Sequence, residues 1–104
     1  PYFIKQGVTA IFSYNDMMAY GVLQYAKSNG IKIGKDLALV GYDDSFINEL
    51  LEVTLSSVRQ PRVEYARIAT KCLVAAIEGK QCAEKIIVFD PELYERESTR
   101  CQIK

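Results

Sequence analysis

Two pairs of small polar residues stand where apolar runs stop, Asn15-Asp16 after TAIFSY and Asp43-Asp44 after LALVGY. A carboxamide carries donors and an acceptor together, and a carboxylate is a strong charged acceptor, so one of each suits a small neutral molecule rich in hydroxyls. In open parallel α/β sheets, groups at the carboxyl ends of strands line the ligand crevice. This is the chemistry of holding a guest rather than transforming one. The chain has no histidine, which excludes histidine-based triads and makes the usual Cys/His zinc site unexpected. No catalytic residue, metal ligand or cofactor is expected.

The elements that must position these groups follow from the pattern. Val8 to Tyr14 is a near-continuous apolar run of strand length, as in a parallel strand buried on both faces. Asn15 or Asp16 then caps a helix to about Asn29, with Asp16 the favoured cap and Met18, Val22 and Ala26 on its packed face. Gly30 supplies the stop. Leu37 to Tyr42 is a second buried strand, Ser45 to Leu51 a short helix, and Leu55 to Val58 a weaker third strand. Pro61 suits the first position of a helix running to about Glu78. Tyr65, Ile68, Ala69, Cys72, Leu73, Ala76 and Ile77 form its apolar stripe. Lys85 to Phe89 reads as a fourth strand, and Leu93 to Ser98 as a last extended segment after Pro91. This order predicts an α/β fold, a parallel sheet with helices as crossovers.

Bulk properties narrow the function. Thirteen basic residues balance thirteen acidic ones in 104 residues, and no basic block offers a footprint for nucleic acid. Contact with DNA would therefore need residues outside this chain. Three cysteines, Cys72, Cys82 and Cys101, make an odd count without CxxC spacing. Cys72 reads as a small buried hydrophobe, and free thiols fit a reducing, cytoplasmic setting. No apolar run approaches the ~20 residues of a membrane span. The opening PYFIKQGVTAIF starts mid-pattern, as a cut product would.

TAIFSYNDMMAYGVLQYAKSNGIKIGKDLALVGYDD, with the later LSSVRQP and LYERESTR, resembles the LacI/GalR-type transcriptional regulators in order and spacing, from about Val8 to Arg100. The resemblance implies part of a two-subdomain, periplasmic-binding-protein-like (type I) effector domain with a sugar or nucleoside in its cleft. It places residues 8–58 and 93–104 in the C-terminal subdomain and residues 61–90 in the N-terminal one. It further implies ligand contacts from Asn15, Asp43, Gln60 and Arg62, with Asp44 holding the turn. A homodimer interface would use Tyr20, Leu23, Gln24, Ile47, Leu50 and Leu51. The helical phase agrees in setting Tyr20 and Leu23 apart from the Met18–Val22–Ala26 face. Gly34 stands where the family usually has proline, and is expected to loosen that connector. DNA would be bound only through a head absent from this chain.

Two other readings compete. An extracytoplasmic sugar-binding protein shares the fold, but free cysteines argue against it. A magnesium-carboxylate site at Asp43-Asp44 would need a further acid and a lysine on other strand ends, and no lysine closes a late strand.

Overall fold

A computed structural model describes residues 2–81 and 86–100. The chain divides into two compact units, Pro1–Arg59 with Glu92–Lys104, and Gln60–Pro91.

The first unit begins with a single helical turn, α1 (Tyr2–Lys5), followed by β1 (Ala10–Phe12), α2 (Asp16–Ser28) and β2 (Ala38–Tyr42). A 3-10 turn (Phe46–Glu49), β3 (Ser56–Arg59), β4 (Glu92–Tyr94) and a second 3-10 turn (Glu97–Thr99) complete it. The four strands lie in the order β1-β2-β3-β4. β1, β2 and β3 are parallel, whereas β4 runs antiparallel to β3. The sheet is therefore mixed rather than wholly parallel. The chain leaves at Arg59 and re-enters at Glu92, its direct partner in the register, so it must return in the opposite direction.

The expected double burial of the first strand is not met. β1 is only three residues long and sits at the sheet edge, with Phe12 68% exposed and Ile11 alone turned toward the core. The core is Ala19, Leu39 and Leu55, flanked by half-buried Ile11, Val22, Leu23, Ile33 and Leu51. α2 packs through Asp16, Ala19 and Ala26 with Val22 beside them, so of the expected inward residues Val22 and Ala26 face the core and Met18 does not. Met18 stays 59% exposed while Tyr20 and Leu23 pack against the core. At 3.6 residues per turn, a helix whose first residue is pulled inward must carry positions i+3 and i+10 in with it. That first residue is Asp16.

Gly34 does not loosen its connector. It adopts φ +82 and donates to the Leu37 carbonyl at 2.9 Å. A Cβ there would overlap the Glu97 carbonyl oxygen. Proline, fixed near φ −65°, could not take this conformation.

The second unit is built on α3 (Arg62–Ile77), preceded by Pro61 and followed by Gly79 at φ +73. Its expected apolar stripe is present but covered by little: no residue of α3 is buried, and Leu73 and Ile77 are 62% and 77% exposed. Tyr65 meets Phe89 edge-on, ring centroids 4.8 Å apart. Ile86 to Phe89 form no strand, since a strand needs a ladder partner and none of the described strands pairs there. Lys85, the start of that expected strand, lies outside the described residues, as do Cys82 and Cys101. Cys72 is half-buried and disulfide-bonded, not a free buried thiol.

Candidate ligand-binding edge

β1 and β2 are neighbours in parallel register, Phe12 opposite Val40, and the pairing continues as the Ser13 N–H donates to the Val40 carbonyl at 2.8 Å. The turns after them therefore leave from the same, carboxyl, edge of the sheet. Asn15 lies in the first turn and Asp43 in the second, both half-buried.

Asn15, not Asp16, caps α2. Its backbone is extended, at φ −152 and ψ 174, and its Oδ1 accepts from the Met18 N–H at 2.9 Å. The cap engages the oxygen and leaves the NH2 group for other use. Asp16 is one residue too late to reach an N-terminal amide in this way, and its carboxylate turns inward instead. Its Oδ2 accepts from the Ser45 N–H at 2.7 Å and from Asn48 Nδ2 at 2.8 Å, and its Oδ1 from the Ser57 hydroxyl at 2.7 Å. A buried carboxylate is tolerated when its lone pairs are filled in this manner. The arrangement also explains Gly41. A Cβ there would overlap Asp16 Oδ1 and come within 3.1 Å of Leu55.

Asp43 and Asp44 both have left-handed backbones, φ 100 and φ 52. Such conformations are uncommon outside glycine, and Asp is among the residues that tolerate them. They persist where surrounding bonds over-determine them. Here the Asp43 N–H donates to the Val58 carbonyl at 2.9 Å and the Asp44 N–H to Ser57 Oγ at 3.0 Å. The Asp44 carboxylate, 1% exposed, receives Arg59 Nε at 2.6 Å and Arg96 Nη1 at 2.8 Å. Burial opposes its charge, but the Arg96 and Arg59 guanidiniums outweigh that and hold its carboxyl below the usual carboxylate range. Arg96 is itself anchored to the Leu55 carbonyl at 2.7 Å and to Glu49 at 3.3 Å. Two arginines on one carboxylate leave no magnesium site of the kind considered for Asp43-Asp44. Among the described residues, no group of three or more acidic, cysteine or histidine side chains could hold a metal ion.

Gln60 and Arg62 belong to the second unit. Gln60 is half-buried, Arg62 is exposed as the first residue of α3, and its N–H donates to the Gln60 carbonyl at 2.8 Å. Asn15 and Asp43 are the two of the four expected ligand contacts that lie in the first unit.

Of the expected interface residues, Gln24, Ile47 and Leu50 are exposed, Leu50 by 75%. Tyr20, Leu23 and Leu51 are half-buried against the core. Tyr20 does not stand apart. Its hydroxyl donates to Asn48 Oδ1 at 2.6 Å, and burial, with the nearby Asp16 and Asp44 charges, pushes its phenol up. Leu23, Gln24 and Leu51 also line an open, mainly apolar groove of about 470 Å³.

The sequence reading missed Asn48, Ser57, Arg59 and Arg96 as builders of this edge. A faint signal was available in Ser56-Ser57, two small hydroxyl residues at strand positions where apolar side chains would be expected. The arginines carried none, because their partner lies 15 and 52 residues away.

Comparison with known proteins identifies the family. Residues 3–99 match the family described as periplasmic binding protein-like domain. The chain is 34% identical over 97 residues to the HTH-type transcriptional repressor CytR of Escherichia coli (strain K12), covering 93% of this chain and 28% of that protein. It superposes on a LacI-family regulatory protein from Chloroflexus aggregans with a TM-score of 0.78 and 42% identity, covering 88% of this chain and 32% of that one. A LacI-family transcriptional regulator from Arthrobacter sp. FB24, solved in complex with lactose, gives a TM-score of 0.83 at 28% identity, covering 94% and 38%. These regulators also outweigh the solute-binding alternative, even though the disulfide at Cys72 removes the free-thiol argument against it. The chain spans under a third of the length of the curated relatives it matches. It belongs to the periplasmic-binding-protein-like family and is a fragment of a LacI/GalR-type effector domain.

Proposed function

We propose that this chain forms one wall of a small-molecule effector site in a cytoplasmic, homodimeric and non-enzymatic transcriptional regulator, usually a repressor, and that the effector is a sugar or a nucleoside-like molecule. The observation carrying this reading is that Asn15 and Asp43 lie in the turns that leave one carboxyl edge of the sheet. Asn15 donates through its NH2 group and Asp43 accepts, a pair matched to neighbouring hydroxyls. Lactose bound to the Arthrobacter relative supports the sugar class. The residues 8–58 and 93–104 would form the C-terminal subdomain and 61–90 part of the N-terminal one, with Gln60 and Arg62 as further ligand contacts. The exposed Gln24, Ile47 and Leu50, with the half-buried Tyr20, Leu23 and Leu51, would form the dimer face. Effector occupancy would bias a pre-existing equilibrium between subdomain arrangements and so change operator affinity, with DNA touched by a head outside this chain.

Calorimetric titration with a panel of mono- and disaccharides and nucleosides tests the site. Saturable binding that Asp43→Ala weakens by more than about tenfold is expected, since a hydrogen bond to a charged group is worth ~1.5–3 kcal/mol. Binding that Asp43→Ala and Asn15→Ala leave unchanged would overturn the assignment.

A further inference from the structure

We propose that Asp44 is a positioning residue for the ligand carboxylate of Asp43, acting as a latch between the tip of β2 and the two strands on which the chain leaves and re-enters the first unit. The inference rests on the ligand role proposed above for Asp43. Three observations build it. Asp43 and Asp44 are consecutive left-handed residues, so the direction in which Asp43 leaves the strand depends on where Asp44 is held. Asp44 is held by side chains from both crossing strands or their immediate continuation. Arg59 is the last residue of β3, its successor Gln60 begins the second unit, and Arg96 lies two residues beyond β4. The two guanidiniums share one ring: Arg59 Cζ lies 3.8 Å from the Tyr94 centroid and Arg96 Cζ 5.8 Å.

Each guanidinium takes a different oxygen of the same buried carboxylate. Releasing either leaves one buried carboxylate oxygen without its charged donor, so intermediate positions of the tip are disfavoured. Because Arg59 pairs with Glu92 across the ladder, the latch ties the exit and return points to each other as well as to the tip. A guest that shifts Asp43 must therefore displace Asp44, and through it the crossing strands.

Hydrogen exchange on this chain, wild type against Asp44→Asn and Arg59→Met, tests the latch without any ligand. Amides of Val58, Arg59, Leu93 and Tyr94 should exchange about tenfold faster or more in both variants, while those of Leu39 and Val40 change little, as expected of a local opening. Leu39→Ala serves as the control for general loss of stability and should accelerate all of them together. A uniform rise in the latch variants, or no rise, overturns the proposal. Titration with the saccharide and nucleoside panel supplies the second arm. If wild type binds, Arg59→Met should weaken binding by about fivefold, the size of one partly exposed charged contact; unchanged affinity overturns the positioning role. If wild type binds no member of the saccharide and nucleoside panel while the selective exchange is seen, the effector reading fails and the latch stands.

Discussion

Within the first unit Asp16, Asp44, Asn48, Ser56, Ser57 and Ser98 are all buried, and among the described residues no buried side-chain nitrogen or oxygen lacks a partner. The second unit carries the longer helix, yet α3 buries none of its residues and leaves Leu73, Val74 and Ile77 exposed. The first unit is specified mainly by polar groups that close on one another around a small core. The second has an apolar stripe that the described residues of its own unit cover little beyond the Tyr65–Phe89 contact. A hydrophobic face without a partner contributes little to stability, because the transfer term needs area removed from water. The polar unit, in contrast, gains uniqueness, since each buried donor or acceptor fits only one arrangement.

That contrast can be broken by substitution. The largest effect is expected for Asp16→Ala, which strands the Ser45 N–H, the Asn48 amide and the Ser57 hydroxyl. A loss of about 4 kcal/mol in urea unfolding follows from three unsatisfied donors at ~1–3 kcal/mol each, less what water recovers. Leu39→Ala, at a fully buried position, should cost about 3 kcal/mol by the same measurement. If the apolar change proves the costlier of the two, the polar account of the first unit is wrong.

Acid sharpens the comparison. The folded Asp44 carboxyl is held below its unfolded value, so its contribution is present above the ordinary carboxylate pKa of about 4 and is lost as pH falls through the lower folded value. The urea midpoint of the first unit should therefore drop progressively below pH ~4, and Asp44→Asn should flatten that part of the profile. A profile identical in the variant would show that other groups govern acid unfolding. The smallest effect belongs to the second unit: Ile77→Lys, at a 77% exposed site, should change stability by less than about 0.5 kcal/mol. A loss approaching that of Leu39→Ala would mean that α3 is packed in solution, for instance against another copy of the chain.

Much of the fold was legible in the chain because it depends on local rules. Apolar runs of strand length located β2 and, two residues too long at either end, β1, Gly30 and Gly79 marked helix ends, and Pro61 marked the start of α3. The assignment of Asp44 to structure and of Asn15 to the edge came from their position after strands. What local rules could not supply was the choice between chemically similar neighbours. Asn15 caps and Asp16 turns inward because Ser45, Asn48 and Ser57, up to 41 residues away, converge on the second position and not the first. The antiparallel return of β4, the two arginines on Asp44 and the left-handed turn at Asp43 have the same origin. Side-chain identity and spacing state which groups are able to bond and which faces are apolar; partners distant along the chain select among those possibilities, and that selection exists only once the strands are side by side.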